Sequence, residues 1–227
     1  MSASPALLDL HTHHPGASPE GSVQILSLRP SEPLLEPERW HSRGLHPWYA
    51  EDLTREALER LERQLCDPHC IALGEAGLDR LTNSDLALQI EYFEHQIELS
   101  EQIHLPLIIH CVKAWDLLLS LHKRMRPRSS WIVHGFRSGA ILAAQLLAKG
   151  LVLSFGPRHQ LESLRLAFTA GAALLETDEA SASILEVYIQ ASSELEIPLE
   201  RLREQIWTTG LRYCPRIGAI PYPKEET

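Results

Sequence analysis

The stretch LLDLHTHHP, residues 7 to 15, carries an apolar run directly into three histidines. Side chains alternate between the two faces of a β-strand, so His11 and His13 point to one face while Thr12 points to the other. Two neutral imidazoles on one face can bind one cation. The stretch therefore predicts a buried strand that ends in part of a metal site, whose other ligands must come from elsewhere in the chain.

Short apolar runs alternate with helical patterns along the rest of the sequence. The runs are residues 6–10, 22–28, 41–47, 70–77, 105–111, 131–136, 151–156 and 173–180. Helical periodicity falls near residues 52–65, 84–104, 114–124, 138–149, 159–170 and 182–192, and a closing helix follows Pro198. The helix over 84–104 is expected to begin with Ser84 as its cap. Strands that alternate with helices of this length indicate βα units around a parallel sheet, and eight runs would close a (β/α)8 barrel.

The first two connections are too rich in proline and glycine to carry full helices. HPGASPEG, residues 14–21, separates the first two runs, and RPSEPLLEPERW, residues 29–40, has three prolines and allows at most one short helical turn. No linker interrupts the pattern. We predict one α/β domain over residues 1–227, a TIM-like (β/α)8 barrel with an incomplete outer helix ring near the N-terminus.

The composition argues against several functional classes. The chain has 227 residues and a formal net charge of -9, which disfavours nucleic-acid binding through a broad basic surface, so any phosphate binding must be local. Four cysteines form no CxxC array, and neither a secretory signal nor a membrane-spanning apolar run is found. These features favour a protein of the reducing cytoplasm.

Residues able to do chemistry recur where the apolar runs end. They are His11, His13, Glu75, His110, His134 and Asp178. A parallel barrel brings the carboxyl ends of its strands to one mouth, where these positions would converge. One histidine at a strand end is more often a hydrogen-bonded structural residue than a ligand. Several of them, together with isolated carboxylates in apolar runs, favour a bound cation, because burying an unpaired carboxylate is costly.

Six stretches, in this order, resemble the TatD family of metal-dependent hydrolases, relatives of the amidohydrolase and phosphotriesterase barrels. They are DLHTHH for the family's D-x-H-x-H, GLHPW for G-x-H-P, ALGEAGLD for G-E-x-G-L-D, LPLIIH, VHGFRSG for H-x-F-x-G, and LLETD. Each stretch alone would be a common coincidence, whereas the ordered set, covering residues 8 to 180, is specific. The resemblance implies a two-metal centre and hydrolysis of phosphoester bonds, typically with deoxyribonuclease activity.

The resemblance also implies a ligand set. His11, His13 and Asp178 would hold one metal ion, His110 and His134 the other, and Glu75 would bridge the two. Imidazole and carboxylate ligands suit Zn²⁺, Mn²⁺ or Fe²⁺, and Mg²⁺ prefers oxygen, so the metal is not decided. The mechanistic hypothesis is that water activated between the metals attacks phosphorus while Asp178 takes its proton, which makes Asp178 and Glu75 the catalytic pair.

Four further residues are weaker candidates. His46 could touch substrate or form a structural hydrogen bond, and Lys113 and Arg137 could hold a phosphate or be solvated surface charges. Glu176, two positions before Asp178 and expected on the same strand face, could support the metal ligands or plug the barrel core. Asp79 is interpreted as a turn or helix-start residue.

The sequence departs from the family around the ligands. HCVKA replaces H-S-R-D-A after His110, ETDEAS replaces E-T-D-[AS]-P, and the closing helix lacks the usual asparagine. The favoured function is a phosphodiesterase acting on DNA ends or short oligonucleotides. The alternatives are a hydrolase of a small ester, amide or lactone at the same centre, and a structural metal protein. The last ranks lowest because closed structural zinc sites usually have four ligands, predominantly Cys.

Overall fold

The computed structural model describes residues 5–14, 19, 21–36 and 38–220. Its eight strands are β1 Leu7–Thr12, β2 Ser22–Leu28, β3 His41–Arg43, β4 Cys70–Asp79, β5 Leu107–Val112, β6 Trp131–Val133, β7 Val152–Phe155 and β8 Ala173–Leu175. The strands follow chain order in the sheet, and each pair whose register is described is parallel. Each predicted apolar run overlaps a strand, but β3, β6 and β8 are only about half as long as their runs or less.

Helices fill the connections from β3 onward. They are α1 Arg55–Gln64, α2 Leu86–Ile103, α3 Trp115–Met125, α4 Ala140–Leu147, α5 Leu161–Thr169, α6 Ile184–Leu195 and α7 Leu199–Tyr213. None of the described residues between β2 and β3 is in a helix, as the prolines there predict. The predicted lack of a helix between β1 and β2 concerns a segment that lies largely outside the described residues.

The described chain forms two compact units. One comprises the described residues up to Leu26 together with those from Gly135 onward, and the other comprises Ser27–His134. In the first unit β1 pairs with β2, and β7 pairs with β8; in the second, β3, β4, β5 and β6 pair in succession. The single domain over residues 1–227 stays a prediction.

Each unit has its own buried strands. In the first unit all six residues of β1 are buried, and the hydroxyl of Tyr188 on α6 accepts from the Leu8 amide and donates to the Leu8 carbonyl, both at 3.1 Å. In the second unit all ten residues of β4 are buried. A strand buried along its whole length holds polar side chains only where partners satisfy them, which limits the position of every polar residue on β1 and β4.

The start of α2 corrects one sequence prediction. The cap is Asp85, not Ser84, because the Asp85 carboxylate accepts from the amides of Ala87 and Leu88 at 2.7 and 3.3 Å. The helix also buries Gln89, whose amide accepts from the Asp79 N–H at 2.8 Å and donates to the Asp79 carbonyl at 3.0 Å. A helix side chain thus fixes the backbone at the end of β4.

Candidate metal centre

The first unit brings together His11, His13 and Asp178, the trio called here the His11 group. The Nε2 atoms of His11 and His13 are 3.2 Å apart, and Asp178 Oδ1 lies 3.9 Å from the first and 3.8 Å from the second. Two ligands of one ion, each bonded at up to about 2.2 Å, can be no more than about 4.4 Å apart. All three separations are below this limit, so the trio can share one cation.

The backbone of Asp178 is fixed by β1. Its amide donates to the His11 carbonyl at 2.9 Å, and its own carbonyl accepts from the His13 amide at 3.2 Å. Its φ of 56° lies in the left-handed region, which aspartate tolerates better than most residues. Because β8 ends at Leu175, Glu176 and Asp178 lie beyond the strand. The prediction that they share one strand face therefore does not hold.

Two neighbours complete the polar surroundings of the His11 group. The exposed guanidinium of Arg137 places Nη2 3.5 Å from Asp178 Oδ2. Glu176 is fully buried, and its Oε1 accepts from the Gly135 amide at 2.5 Å. Arg137, a predicted phosphate-binding residue, therefore lies beside a predicted metal ligand. Glu176 instead forms a hydrogen bond to the backbone.

Asp9, two residues before His11 on β1, is a buried carboxylate that the sequence reasoning did not single out. It accepts from the amide of Thr177 at 2.9 Å and from the hydroxyl of Thr177 at 2.8 Å. Burial raises the pKa of Asp9 to about 7, although the bonds from Thr177 act in the opposite direction. The contact joins β1 to the segment that carries Asp178.

The second unit gathers imidazoles around one carboxylate. Glu75 Oε1 lies 2.8 Å from His46 Nε2, 2.8 Å from His110 Nδ1 and 2.6 Å from His134 Nε2, and the last two nitrogens are 3.4 Å apart. Glu75 and the two histidines His110 and His134, whose nitrogens face this oxygen, are called here the Glu75 group. All three residues are buried. Their separations also fit ligands of a single ion.

Glycines explain how β4 brings Glu75 so close to His110 on the next strand. A Cβ at Gly74 would lie 2.6 Å from the Ile108 carbonyl oxygen, and one at Gly77 would lie 2.0 Å from the His110 carbonyl oxygen. Both glycines also have positive φ, 143° and 147°. The GEAG stretch thus has glycine where the backbone of β5 leaves no room for a side chain.

Asp79 fixes the tautomer of His110. Its Oδ2 accepts from His110 Nε2 at 3.0 Å and from the Trp48 indole N–H at 2.6 Å. Burial opposes both charges, but the hydrogen bonds prevail: they lower the pKa of Asp79 to about 2, and the bonds to Asp79 and Glu75 raise the pKa of His110. The sequence interpretation of Asp79 as a turn residue is thus incomplete. Its Oδ1 accepts from the Leu81 amide at 2.7 Å, as a turn residue would, but its Oδ2 also accepts from the predicted metal ligand His110.

His46 is the same Nε2–H tautomer as His110, but its N–H points at Glu75. The Trp48 amide donates to His46 Nδ1 at 3.0 Å, so a neutral His46 carries its proton on Nε2 and donates it to Glu75. Burial lowers the pKa of His46, although the nearby Glu75 carboxylate acts in the opposite direction. The lowered pKa keeps the ring neutral. His46 is only 6% exposed. This geometry favours a hydrogen bond that orients Glu75 over contact with substrate.

The protonation of His110 tests whether a cation fits the Glu75 group. Because Nε2–H is given to Asp79, a neutral His110 presents its Nδ1 lone pair to Glu75 Oε1, and two acceptors then face each other at 2.8 Å. Such a contact needs either a second proton or a cation. A carboxylate that holds one nitrogen of a ligating histidine while the other faces the metal is the usual arrangement in metal sites. The residues present therefore fit a divalent ion.

Lys113 is the predicted residue that the structure sets apart. It follows β5, is exposed and has a φ of 54°. Its carbonyl accepts from Arg80, which also forms two 2.8 Å bonds with Asp116. None of the described contacts joins the Lys113 ammonium to the Glu75 group.

Among the described residues, no helix has the length and apolar character needed to cross a membrane.

Comparison with solved structures bears on the fold. The TatD homologue YjjV from Escherichia coli matches 92% of this chain and 97% of its own with a TM-score of 0.78 at 20% identity. A TatD family hydrolase from Entamoeba histolytica matches 94% of this chain and 99% of its own with a TM-score of 0.73 at 17% identity. These likenesses confirm the predicted fold class, the TIM-like (β/α)8 barrel.

Sequence comparison gives the family. The model of the TatD related DNases matches residues 11–181. A 3'-5' ssDNA/RNA exonuclease TatD from Erwinia tasmaniensis is 30% identical over 69% of this chain and 63% of its own, and an uncharacterized metal-dependent hydrolase from Haemophilus influenzae is 33% identical over 50% and 46%. The chain thus matches between about half and two thirds of the length of these relatives. It belongs to the TatD family of metal-dependent hydrolases.

Proposed function

We propose that this protein is a divalent-metal-dependent phosphodiesterase that cleaves DNA or short oligonucleotides near their ends. The observation that carries the proposal is the contact between His110 Nδ1 and Glu75 Oε1, 2.8 Å apart, which a bound cation would satisfy without a second proton on His110. The relative from Erwinia is named an exonuclease of single-stranded DNA and RNA, which supports a nucleic-acid substrate.

Two ions per chain are proposed, with one on the His11 group and one on the Glu75 group. Each group offers three donors of the types that Zn²⁺, Mn²⁺ and Fe²⁺ accept, so the donors alone do not select the metal. The bridging of both ions by Glu75 stays a prediction. When bound, divalent ions activate water and neutralise the negative charge that develops on a reacting phosphate.

The chain's own residues then have separate tasks. Asp178 accepts the proton of the attacking water, since it is the carboxylate of the His11 group and is partly exposed. Arg137, whose guanidinium lies next to that carboxylate, binds the phosphate. Asp79 and His46 keep His110 and Glu75 in the orientations described above. Lys113 is retained as a weaker phosphate-binding candidate because it is exposed.

The charge of the protein limits how nucleic acid is bound. At a net charge of -9, a long duplex would be repelled by most of the surface, whereas a chain end needs only a few local cations. This favours short single-stranded substrates that reach the site end first.

A substrate panel tests the proposal. Purified protein supplied with Mn²⁺, Zn²⁺ or Mg²⁺ is assayed on single-stranded oligodeoxynucleotides, a p-nitrophenyl phosphodiester and carboxyl esters or lactones. Cleavage of the phosphodiesters, abolished by a chelator and restored by metal, supports the proposal. Hydrolysis of a carboxyl ester or lactone without any phosphodiester cleavage would overturn it and favour the alternative small-molecule hydrolase.

Elemental analysis tests the metal content. Protein saturated with metal and then desalted should retain close to two ions per chain. His13→Ala should lose mainly one ion and His134→Ala mainly the other, because each removes a donor from only one of the two groups. Glu75→Gln should lower the occupancy of both ions if Glu75 bridges, and loss of a single ion in that variant would refute the bridging role.

A further inference from the structure

Trp48 is an exposed aromatic side chain beside the Glu75 group. It lies five residues beyond the end of β3, in the stretch GLHPW, and 49% of its surface is exposed. The other exposed large hydrophobic side chains in the described residues are aliphatic, for example Leu81 and Ile141. Because half of the indole stays in water, the protein forgoes the stabilising free energy that burying this apolar surface would contribute.

The indole is held in one orientation by polar and aromatic contacts. Its N–H donates to Asp79 Oδ2 at 2.6 Å, and its ring is edge-on to His46, with centroids 5.0 Å apart, and to His110, with centroids 5.5 Å apart. Its backbone amide also bonds to His46. The side chain is thus both exposed and rigid, which is the combination that binds a flat ligand with little loss of conformational entropy.

A second aromatic side chain follows directly in the chain, and a cation lies over its ring. The ring of Tyr49 lies 5.6 Å from that of His46, and the Arg29 guanidinium lies 3.9 Å above the Tyr49 ring. Aromatic side chains interleaved with a cation are typical of surfaces that bind single-stranded nucleic acid, because bases stack on the rings and phosphates approach the charge.

We propose that Trp48 stacks on a nucleobase of the substrate and so selects unpaired nucleotides at this end of the site. The inference rests on the proposed phosphodiesterase function and deepens it, since it assigns the base-binding contact. A base stacked in a duplex has no free face, so this contact selects single-stranded ends. Asp79 holds the indole and His110 through the same oxygen, Oδ2, and thereby sets the stacked base at a fixed position relative to a metal ligand.

The experiment measures binding rather than turnover. Folded, metal-loaded protein is titrated with single-stranded phosphorothioate oligonucleotides that resist cleavage, in one series with normal nucleotides and in a second with abasic residues at the last two positions. The variants are Trp48→Ala and Trp48→Phe, with Trp40→Phe as the matched control. Trp40 is partly exposed at the opposite end of β3, against His69 at a centroid distance of 4.9 Å.

The outcomes separate stacking from a structural role. Trp48→Ala should bind the normal oligonucleotide about 5- to 150-fold more weakly and the abasic one unchanged, because stacking of a base on an aromatic ring contributes about 1–3 kcal/mol. Trp48→Phe should keep most of the affinity but lose the quenching of tryptophan fluorescence that wild type and Trp40→Phe show. Equal loss for both oligonucleotides, or no loss, would overturn the stacking role.

Failure of the proposed function gives a different result. If wild type cleaves no phosphodiester in the substrate panel but Trp48→Ala still distinguishes normal from abasic oligonucleotides, the stacking inference stands and the nuclease activity does not. If wild type cleaves phosphodiesters in the substrate panel but binds the normal and the abasic oligonucleotides equally tightly, the nuclease activity stands and the stacking inference falls.

Discussion

Gly77 lies so close to β5 that a Cβ on it would be 2.0 Å from the carbonyl oxygen of His110. Non-bonded carbon and oxygen atoms do not approach this closely, and the atom in the way is backbone that cannot rotate aside. The two strands are therefore pressed together at the point where β5 presents a predicted metal ligand. The position of His110 depends on the absence of a side chain at Gly77.

Gly77→Ala should destabilise the protein by about 3 kcal/mol or more, because the variant meets both the clash and a φ of 147° that alanine rarely adopts. Urea unfolding measures the loss. Gly150→Ala is the matched control, since Gly150 also has a positive φ, 83°, but has nothing within 4 Å of its Cβ position. It should cost only about 1–2 kcal/mol. Equal losses in the two variants would show that the close approach of the strands is unimportant.

Asp79→Asn should weaken metal binding at the Glu75 group by about 10- to 100-fold while the protein stays folded. Both donors, His110 Nε2 and the Trp48 indole, point at one carboxylate oxygen, and Leu81 donates to the other. An amide offers one neutral oxygen, so either Leu81 or the pair of His110 and Trp48 loses its acceptor, and in both cases the bond that holds His110 in the tautomer exposing Nδ1 is weakened. Isothermal titration with Zn²⁺ or Mn²⁺ measures the affinities.

Asp116→Asn serves as the control for that variant. Asp116 is likewise a carboxylate whose pKa is lowered by a hydrogen-bonded partner, Arg80, but it lies on the surface of α3. Its substitution should leave both metal affinities unchanged. If Asp79→Asn bound metal as tightly as wild type, Asp79 would be only the turn residue that the sequence suggested.

The positions of the elements followed from the sequence because hydrophobic periodicity is a local property. The run at residues 22–28 is β2, and the closing helix predicted after Pro198 is α7, Leu199–Tyr213. The cap of α2 was misplaced by one residue, since Ser84 and Asp85 are both good capping residues and the sequence does not state which one has the required backbone angles.

The ligands could be listed from the sequence, but the groups that orient them could not. His11, His13 and Asp178 stand out because they lie at the ends of apolar runs in the sequence, and the structure does bring them together. Asp79 and Trp48 act through hydrogen bonds to residues 31 positions away along the chain, and no periodicity encodes such a pairing. The spacing of Asp9 to His11 was visible in the D-x-H-x-H opening, which is the signal that could have identified Asp9.

Asp9→Asn should become more stabilising relative to wild type as the pH rises. Burial raises the pKa of Asp9 to about 7 from an ordinary value of 3.8, so the folded protein retains a proton there that the unfolded chain has lost. The stability contributed by Asp9 is therefore full below about pH 4 and is lost as the pH rises through 7. Asparagine cannot titrate, and it can still accept from the Thr177 amide.

Urea unfolding at pH 5, 6 and 7 in the presence of a chelator measures this effect. The difference between Asp9→Asn and wild type should grow by up to about 1.4 kcal/mol per pH unit. Asp116→Asn is again the control, because a lowered pKa changes stability only in acid, and its difference from wild type should stay flat over this range. A flat profile for Asp9→Asn as well would mean that Asp9 is ionised in the folded protein at pH 5.

Asp178→Asn separates proton transfer from metal binding. Asparagine keeps an oxygen ligand and is well suited to the left-handed φ of 56°, so the hydrogen bonds from Asp178 to the backbone of His11 and His13 should persist and most of the metal should remain. The amide cannot accept a proton at neutral pH. With saturating metal, kcat should fall by about 10²- to 10⁴-fold, the usual contribution of a general base, and KM should change little.

Arg137→Ala gives the opposite kinetic pattern and completes the test of Asp178. Its guanidinium lies 3.5 Å from Asp178 but is 52% exposed, so its removal takes a cation from the phosphate without disturbing the ligands. KM for a phosphodiester should rise more than kcat falls. Steady-state kinetics on one oligonucleotide, with metal content measured on the same samples, compares the two variants. If Asp178→Asn kept near-normal kcat with its metal retained, the proton would have to go to another base, and Glu176→Gln would then be expected to show the loss of kcat.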